Sequence, residues 1–128
     1  MNGYLETAAL GWLALLLFGA NLWLPYLLGR APARLKCMRP HYWIGYSLPG
    51  LALLHAWIPM SRGNMNGMNM TGLWLATIAL LLLGMQVVLG LLLRNSVAGV
   101  RSTLQTGHFW TMAAAALLIV THIALNRP

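Results

Sequence analysis

Four histidines are the residues of this sequence whose type and spacing suit chemistry. His41 and His55 lie 14 positions apart, and the same interval separates His108 and His122. At about 100° per residue, 14 steps along an α-helix return to within about 40° of the starting direction, so the two histidines of each pair face the same way. Haem iron takes two axial imidazoles from opposite sides. The spacing therefore predicts ligands for two b-type haems.

The composition predicts the elements that must position these histidines. Of the 128 residues, 59% are apolar and only 7% are charged, whereas soluble domains carry roughly 25% charged residues. A membrane span needs about 20 apolar residues, and four such stretches occur. We therefore expect one all-α domain over residues 1–128, an up-and-down bundle of four transmembrane helices. The predicted spans are residues 10–28, 42–60, 73–93 and 109–125.

The two histidine-bearing spans are the second and the fourth, so they run in the same direction through the membrane. This places His41 level with His108, and His55 level with His122. At about 1.5 Å per residue the two levels are about 21 Å apart, one near each membrane surface. Two haems at this separation are close enough for electron tunnelling.

The basic residues predict the orientation. Two lie on one side of the predicted spans, Arg62 and Arg127. Six lie in or beside the first and third connections: Arg30, Arg34, Lys36, Arg39, Arg94 and Arg101. The positive-inside rule puts these two connections in the cytoplasm and both termini outside. The net charge of +7 thus indicates topology, and we expect no nucleic-acid partner. We expect the inner (cytoplasmic) membrane of a bacterium or archaeon.

An internal repeat links the two halves of the chain. Gly19 and Asn21 match Gly84 and Gln86 at an offset of 65, and His41-Tyr42-Trp43 matches His108-Phe109-Trp110 at an offset of 67. The simplest explanation is a duplicated helical hairpin. Small residues between the histidines leave room for a flat macrocycle, and Gly19 and Gly84 suit either close approach to it or ordinary helix packing. These small residues are Gly45, Ser47, Gly50 and Ala113 to Ala116.

With His41 and His55 on one span and His108 and His122 on another, the chain resembles the four-helix core of the cytochrome b of quinol:cytochrome c oxidoreductases. It is similar, more distantly, to the transmembrane domains of ferric reductases and NADPH oxidases. The resemblance implies two haems and electron exchange with quinone. The Pro-Glu-Trp-Tyr motif of cytochrome b is not in this sequence, which puts a bifurcating quinol site in doubt. Because no flavin or nicotinamide domain is present, we expect a separate electron donor.

Several other residues have two interpretations each. Arg39 and Arg101, on the cytoplasmic side, and Arg62 and Arg127, on the outer side, suit either haem propionates or topology anchoring. Glu6, the one carboxylate side chain, is either a proton acceptor for quinone or an exposed N-terminal acid. Asn21 and Gln86 either hydrogen-bond a cofactor or bridge helices.

The second connection is rich in methionine. Met60, Met65, Met68 and Met70 lie within eleven residues, and thioethers suit Cu(I). Packing on a partner or on the membrane interface is the more common role of such a loop. Cys37 is the single cysteine, so an internal disulfide is excluded.

These observations favour a di-haem b-type cytochrome that carries electrons across the membrane. We expect it to be the membrane subunit of a redox complex that exchanges electrons with quinone or quinol, whose partners are lipid and other subunits. One alternative is a stand-alone haem oxidoreductase that acts on superoxide or metal ions. Another is a non-haem transporter or assembly protein whose histidines bind protons or metal.

Overall fold

The computed structural model describes residues 2–28, 38–62 and 69–126, and every regular element in these ranges is helical. The helices are α1 (Asn2–Leu28), α2 (Arg39–Ser61), α3 (Met70–Asn95) and α4 (Ala98–Leu125). The prediction of an all-α chain with four helices is therefore confirmed.

The chain divides into two compact units, Met1–Met65 and Asn66–Pro128. In the first unit α1 packs against α2, and in the second α3 packs against α4. Contacts between the start of one helix and the end of the next show that each pair is antiparallel. An example is the ion pair of Glu6 with Arg62 in the first unit. Each unit is thus a helical hairpin.

Three helices are long and apolar enough to cross a membrane: Leu5–Leu27 within α1, and the whole of α3 and α4. No such stretch occurs in the described part of α2, the 23-residue helix that carries His41, His55, Pro49 and Pro59. Polar and small residues, among them the two histidines, lower the mean hydropathy of α2. These three helices support a membrane protein, while a membrane span in α2 stays a prediction.

The connection between α3 and α4 is shorter than the sequence predicts. Only Ser96 and Val97 separate the two helices, and both are extended. Arg94 lies in the last turn of α3, and Arg101 lies near the start of α4. The predicted fourth span begins where the apolar side chains begin. The helix itself begins earlier, because helix formation does not require apolar side chains. At about 1.5 Å per residue, α4 measures about 42 Å and exceeds the hydrocarbon thickness of about 30 Å.

Local capping explains where two helices begin. The Asn69 side-chain oxygen accepts hydrogen bonds from the backbone N–H of Thr71 at 2.9 Å and of Gly72 at 3.3 Å. Such an N-cap satisfies two donors that the first turn of α3 leaves without a helical partner. α2 has Pro40 in its first turn, where the missing N–H does no harm.

The surface of the described residues is apolar. All six tryptophans are exposed, with 61–73% of their surface accessible. Buried apolar side chains are few by comparison: Phe18, Leu48, Ala79, Leu83, Met112 and Ala115. Large apolar side chains that point outward suit lipid, and aromatic residues near span ends suit its interfaces.

A polar contact joins the helices of the second unit near their middle. The Gln86 side-chain N–H group donates to the backbone oxygen of His108 at 2.8 Å and to the Thr111 hydroxyl at 2.5 Å. Gln86 is only 7% exposed. Because apolar surface gains little from burial within lipid, hydrogen bonds and close packing must hold such helices together.

A double-mutant cycle measures this contact. We expect Gln86→Leu and Thr111→Val to be coupled by about 0.6 kcal/mol, and by no more than about 1.7 kcal/mol, the range for hydrogen bonds between transmembrane helices. The free energy of unfolding in mixed micelles supplies the four values. A matched cycle with Thr106→Val, an exposed threonine of α4 that bonds within its own helix, should give no coupling. Equal coupling in both cycles would contradict the contact.

Candidate functional site: the four histidines

The four histidines lie on two continuous helices. His41 and His55 belong to α2, which continues through Pro49, and His108 and His122 belong to α4. The two members of each pair are therefore held by one rigid element, at the rise of about 1.5 Å per residue on which their predicted separation depends.

In the first unit both histidines contact backbone oxygens of α1. His55 Nδ1 lies 2.9 Å from the carbonyl oxygen of Thr7, and His41 Nδ1 lies 3.2 Å from that of Asn21. The two rings therefore share the face of α2 that packs on α1. Thr7 and Asn21 are themselves 14 positions apart, which matches the histidine spacing on the antiparallel partner.

In the second unit both histidines face α3. His122 Nδ1 lies 2.8 Å from the carbonyl oxygen of Gly72. The backbone oxygen of His108 accepts from Gln86, and its ring lies 4.0 Å from the place that a Cβ would take at Gly90. Gly72 and Gln86 are again 14 positions apart.

The carbonyl contacts determine where three of the four imidazoles carry their proton. A carbonyl oxygen only accepts hydrogen bonds, so the Nδ1 atoms of His41, His55 and His122 must be the donors. In a neutral imidazole the lone pair is then on Nε2, the nitrogen that can bind a metal. A backbone carbonyl bonded to the other ring nitrogen fixes the ring and makes the ligand more basic. The donor set therefore fits axial ligation of iron.

A second contact to His122 competes with this assignment. The Asn126 side-chain nitrogen lies 3.3 Å from His122 Nδ1 and 2.9 Å from the His122 backbone oxygen. Nδ1 cannot accept from Asn126 while it donates to Gly72. We assign the proton to the bond with Gly72, because its 2.8 Å distance is shorter and Asn126 already donates to the His122 backbone.

The two units build these surroundings from equivalent positions. Thr7 and Gly72, which accept from the second histidine of each pair, are 65 positions apart, as are the buried amides Asn21 and Gln86. The same offsets match buried apolar residues. Phe18 matches Leu83 at 65, and Leu48 matches Ala115 at 67. The predicted repeat therefore extends to burial and to hydrogen bonding.

Two equivalent amide oxygens have no partner among the described residues. They are Asn21 Oδ1 and Gln86 Oε1. The buried hydroxyl of Tyr46 also has no partner among the described residues. Asn21 is only 3% exposed. Of the two predicted roles, Gln86 fulfils helix bridging through its N–H group, while Asn21 joins the helices through its backbone oxygen.

The glycines differ in the space that an added side chain would have. A Cβ at Gly11 would lie 2.8 Å from His55 Cε1, so only glycine leaves room for that ring. At Gly19 and Gly84, by contrast, no described atom lies within 4 Å of an added Cβ. Close packing inside the described hairpins does not explain this matched pair, and their approach to a cofactor stays a prediction.

The charged candidates have different outcomes. Glu6 forms a 2.7 Å ion pair with Arg62, and each side chain is about half exposed. Arg39 and Arg101 are exposed. The remaining predicted positions lie outside the described residues: Arg30, Arg34, Lys36, Cys37, Arg127 and, in the methionine-rich loop, residues 63–68. Within the described ranges no three His, Cys, Asp or Glu side chains form a metal-binding group, but an axial pair needs only two.

Comparisons with models of known protein families, with curated proteins and with solved structures find no match to this chain. The resemblance to cytochrome b therefore depends on the four histidines and their spacing.

The residues that hold the rings are not among those predicted from the sequence. Thr7 and Gly72 contribute only backbone oxygens, and Gly11 contributes only space, so none has a chemical signature of its own. One signal was available. Counting 14 positions back from the matched pair Asn21 and Gln86, the interval that separates the histidines, leads to Thr7 and Gly72.

Gly11 and Gly19 offer a matched test of the His55 position. In a helix interior, alanine is ordinarily favoured over glycine by about 0.5–1 kcal/mol. We expect Gly19→Ala to follow that rule and Gly11→Ala to lower the free energy of unfolding, since its methyl group displaces His55 from Thr7. Unfolding in mixed micelles measures both. A Gly11→Ala variant as stable as Gly19→Ala would show that the ring is not held at that distance.

Proposed function

We propose that this protein is a di-haem b-type cytochrome of a membrane, which carries single electrons from one side to the other. The observation that carries the proposal is the bonding of histidine Nδ1 atoms to backbone carbonyls of the neighbouring helix. In three of the four histidines this bonding leaves on Nε2 the lone pair that can bind a metal. The four histidines form two pairs with the same interval of 14 residues.

The proposed ligand sets each take one histidine from each hairpin. His41 and His108 would bind one haem on the cytoplasmic side, and His55 and His122 would bind the other on the outer side. Support comes from the equivalence of the two units, since matched positions surround the members of each set. The orientation rests on the positive-inside rule, and we place the chain in the inner membrane of a bacterium or archaeon.

When bound, the haems supply the one-electron chemistry. The chain has three tasks: its histidines ligate, the carbonyls of α1 and α3 orient the rings, and its apolar helices exclude water. Burial and hydrogen bonds to the ligands are the means by which a protein tunes such potentials.

We further propose that the chain acts as the membrane subunit of a larger redox complex and exchanges electrons with the quinone pool. The support is the resemblance of the four-histidine pattern to cytochrome b of quinol:cytochrome c oxidoreductases, a subunit that exchanges electrons with quinone. For the propionates, Arg39 and Arg101 are exposed candidates at the cytoplasmic level. Arg62 is a weaker candidate at the outer level, because Glu6 already neutralises its charge.

An absorption spectrum tests the proposal against its alternatives. Protein purified with ample haem supply should show a b-type α band and a Soret shift in the reduced-minus-oxidised difference, and a haem-to-chain ratio near two. A spectrum without these bands would leave the non-haem transporter or assembly protein. Rapid reoxidation by superoxide or ferric ions, with no response to quinol, would favour a stand-alone oxidoreductase.

Single substitutions test the pairing. We expect His41→Ala and His108→Ala to lose the same haem, and His55→Ala and His122→Ala to lose the other, because each haem needs both axial ligands. The haem-to-chain ratio and redox titration identify the haem that remains. Thr121→Val, next to His122, is a matched control that should keep both. Loss of different haems from His41→Ala and His108→Ala would overturn the pairing.

A further inference from the structure

We infer that Pro25 is a positioning residue for His41. Its missing N–H releases the Asn21 carbonyl from the hydrogen-bonding pattern of α1, and His41 takes that carbonyl as its own acceptor. The structural part of this inference stands alone, while its effect on a haem rests on the proposed function.

In an α-helix the carbonyl of residue i accepts from the N–H of residue i+4. For Asn21 that residue is Pro25, which has no N–H. α1 nevertheless continues through Pro25 to Leu28. The Asn21 carbonyl therefore lacks its i+4 donor, and the proline ring crowds that carbonyl.

The released carbonyl needs another donor. Asn21 is only 3% exposed, so solvent does not reach it freely, and in an apolar surrounding an unpaired backbone group is costly. His41 Nδ1 lies 3.2 Å away on the facing helix. The proline thus creates the acceptor that fixes the His41 ring and puts its lone pair on Nε2.

The other histidines show that this arrangement is specific to His41. His55 and His122 bond to Thr7 and Gly72, whose i+4 residues, Gly11 and Ala76, keep their N–H groups. These two carbonyls are therefore shared with a helical donor.

The repeat supplies a second contrast. The residue equivalent to Pro25 at the offset of 65 is Gly90, which has an N–H group, so the Gln86 carbonyl keeps its helical donor within α3. There the Gln86 side chain bonds to the His108 backbone instead. Within the repeat, a carbonyl released by proline is therefore a feature of the first unit.

Pro25→Ala tests the inference, with Pro25→Gly as a second variant and Pro49→Ala as the matched control. Both position-25 variants restore an N–H for the Asn21 carbonyl. Pro49→Ala also removes a helix-interior proline of the same unit, but the carbonyl it affects belongs to Gly45. With a weaker bond to Nδ1, His41 becomes a poorer electron donor, and the ferric state loses stabilisation.

We expect redox titration of the haem-loaded protein to show a raised midpoint potential for one haem in both position-25 variants. The other haem should be unchanged, and Pro49→Ala should leave both unchanged. Loss of the His41 haem alone would also support the inference. Unchanged potentials with both haems bound would overturn it. A Pro25→Ala variant that fails to fold would overturn it as well, because the substitution completes the hydrogen bonding of α1.

A second readout separates this inference from the proposed function. Nitrogen NMR of the full chain, labelled with ¹⁵N-histidine and kept haem-free, reports which ring nitrogen of His41 carries the proton. We expect the Nδ1–H form in the parent protein and in Pro49→Ala, and a mixture of both tautomers in Pro25→Ala. The same tautomer in all three would overturn the inference even if haem binds, whereas the expected change would support it even if no haem binds.

Discussion

A polar group surrounded by apolar side chains and lipid has to find its hydrogen-bond partner inside the protein. Several groups of the described hairpins meet this constraint across the helix pair: the Nδ1 atoms of three histidines and the Gln86 side-chain N–H group reach backbone oxygens of the facing helix. Because burial of apolar surface does little to associate helices in lipid, these bonds also fix the register. Two contacts, of Thr7 with His55 and of Asn21 with His41, fix the position of α1 along α2. The same bonds that hold each hairpin together therefore orient its imidazoles.

The two hairpins meet this constraint at matched positions. Thr7 and Gly72 accept from the second histidine of their units at 2.9 and 2.8 Å, although one is a threonine and the other a glycine. Their side chains differ because only their backbone oxygens are used. Where a side chain matters, as in the buried amides Asn21 and Gln86, the chemical class is retained. This pattern supports descent of both hairpins from one ancestral unit.

The sequence allowed prediction of the helices and of the histidine pairs, since apolar runs and a 14-residue interval are periodic signals. It did not allow prediction of where α4 begins, because polarity marks the end of an apolar span and not the end of a helix: the charged Arg101 already lies in the first turn of α4. It also concealed the partners of the rings. A backbone oxygen belongs to every residue, and the importance of Gly11 emerges only once α1 is known to face His55.

Pro25 shows how a duplicated unit can become asymmetric through a single backbone atom. Under the proposed pairing, each haem takes one ligand from each hairpin. A change at one histidine of one hairpin therefore alters one haem and leaves the other haem unaltered. His55 and His122 donate to carbonyls of the same kind at nearly the same distance, whereas His41 donates to a carbonyl that a proline released. Through that one carbonyl, Pro25 would make the ligand strength at one proposed haem, and with it the potential of that haem, different from those of the other.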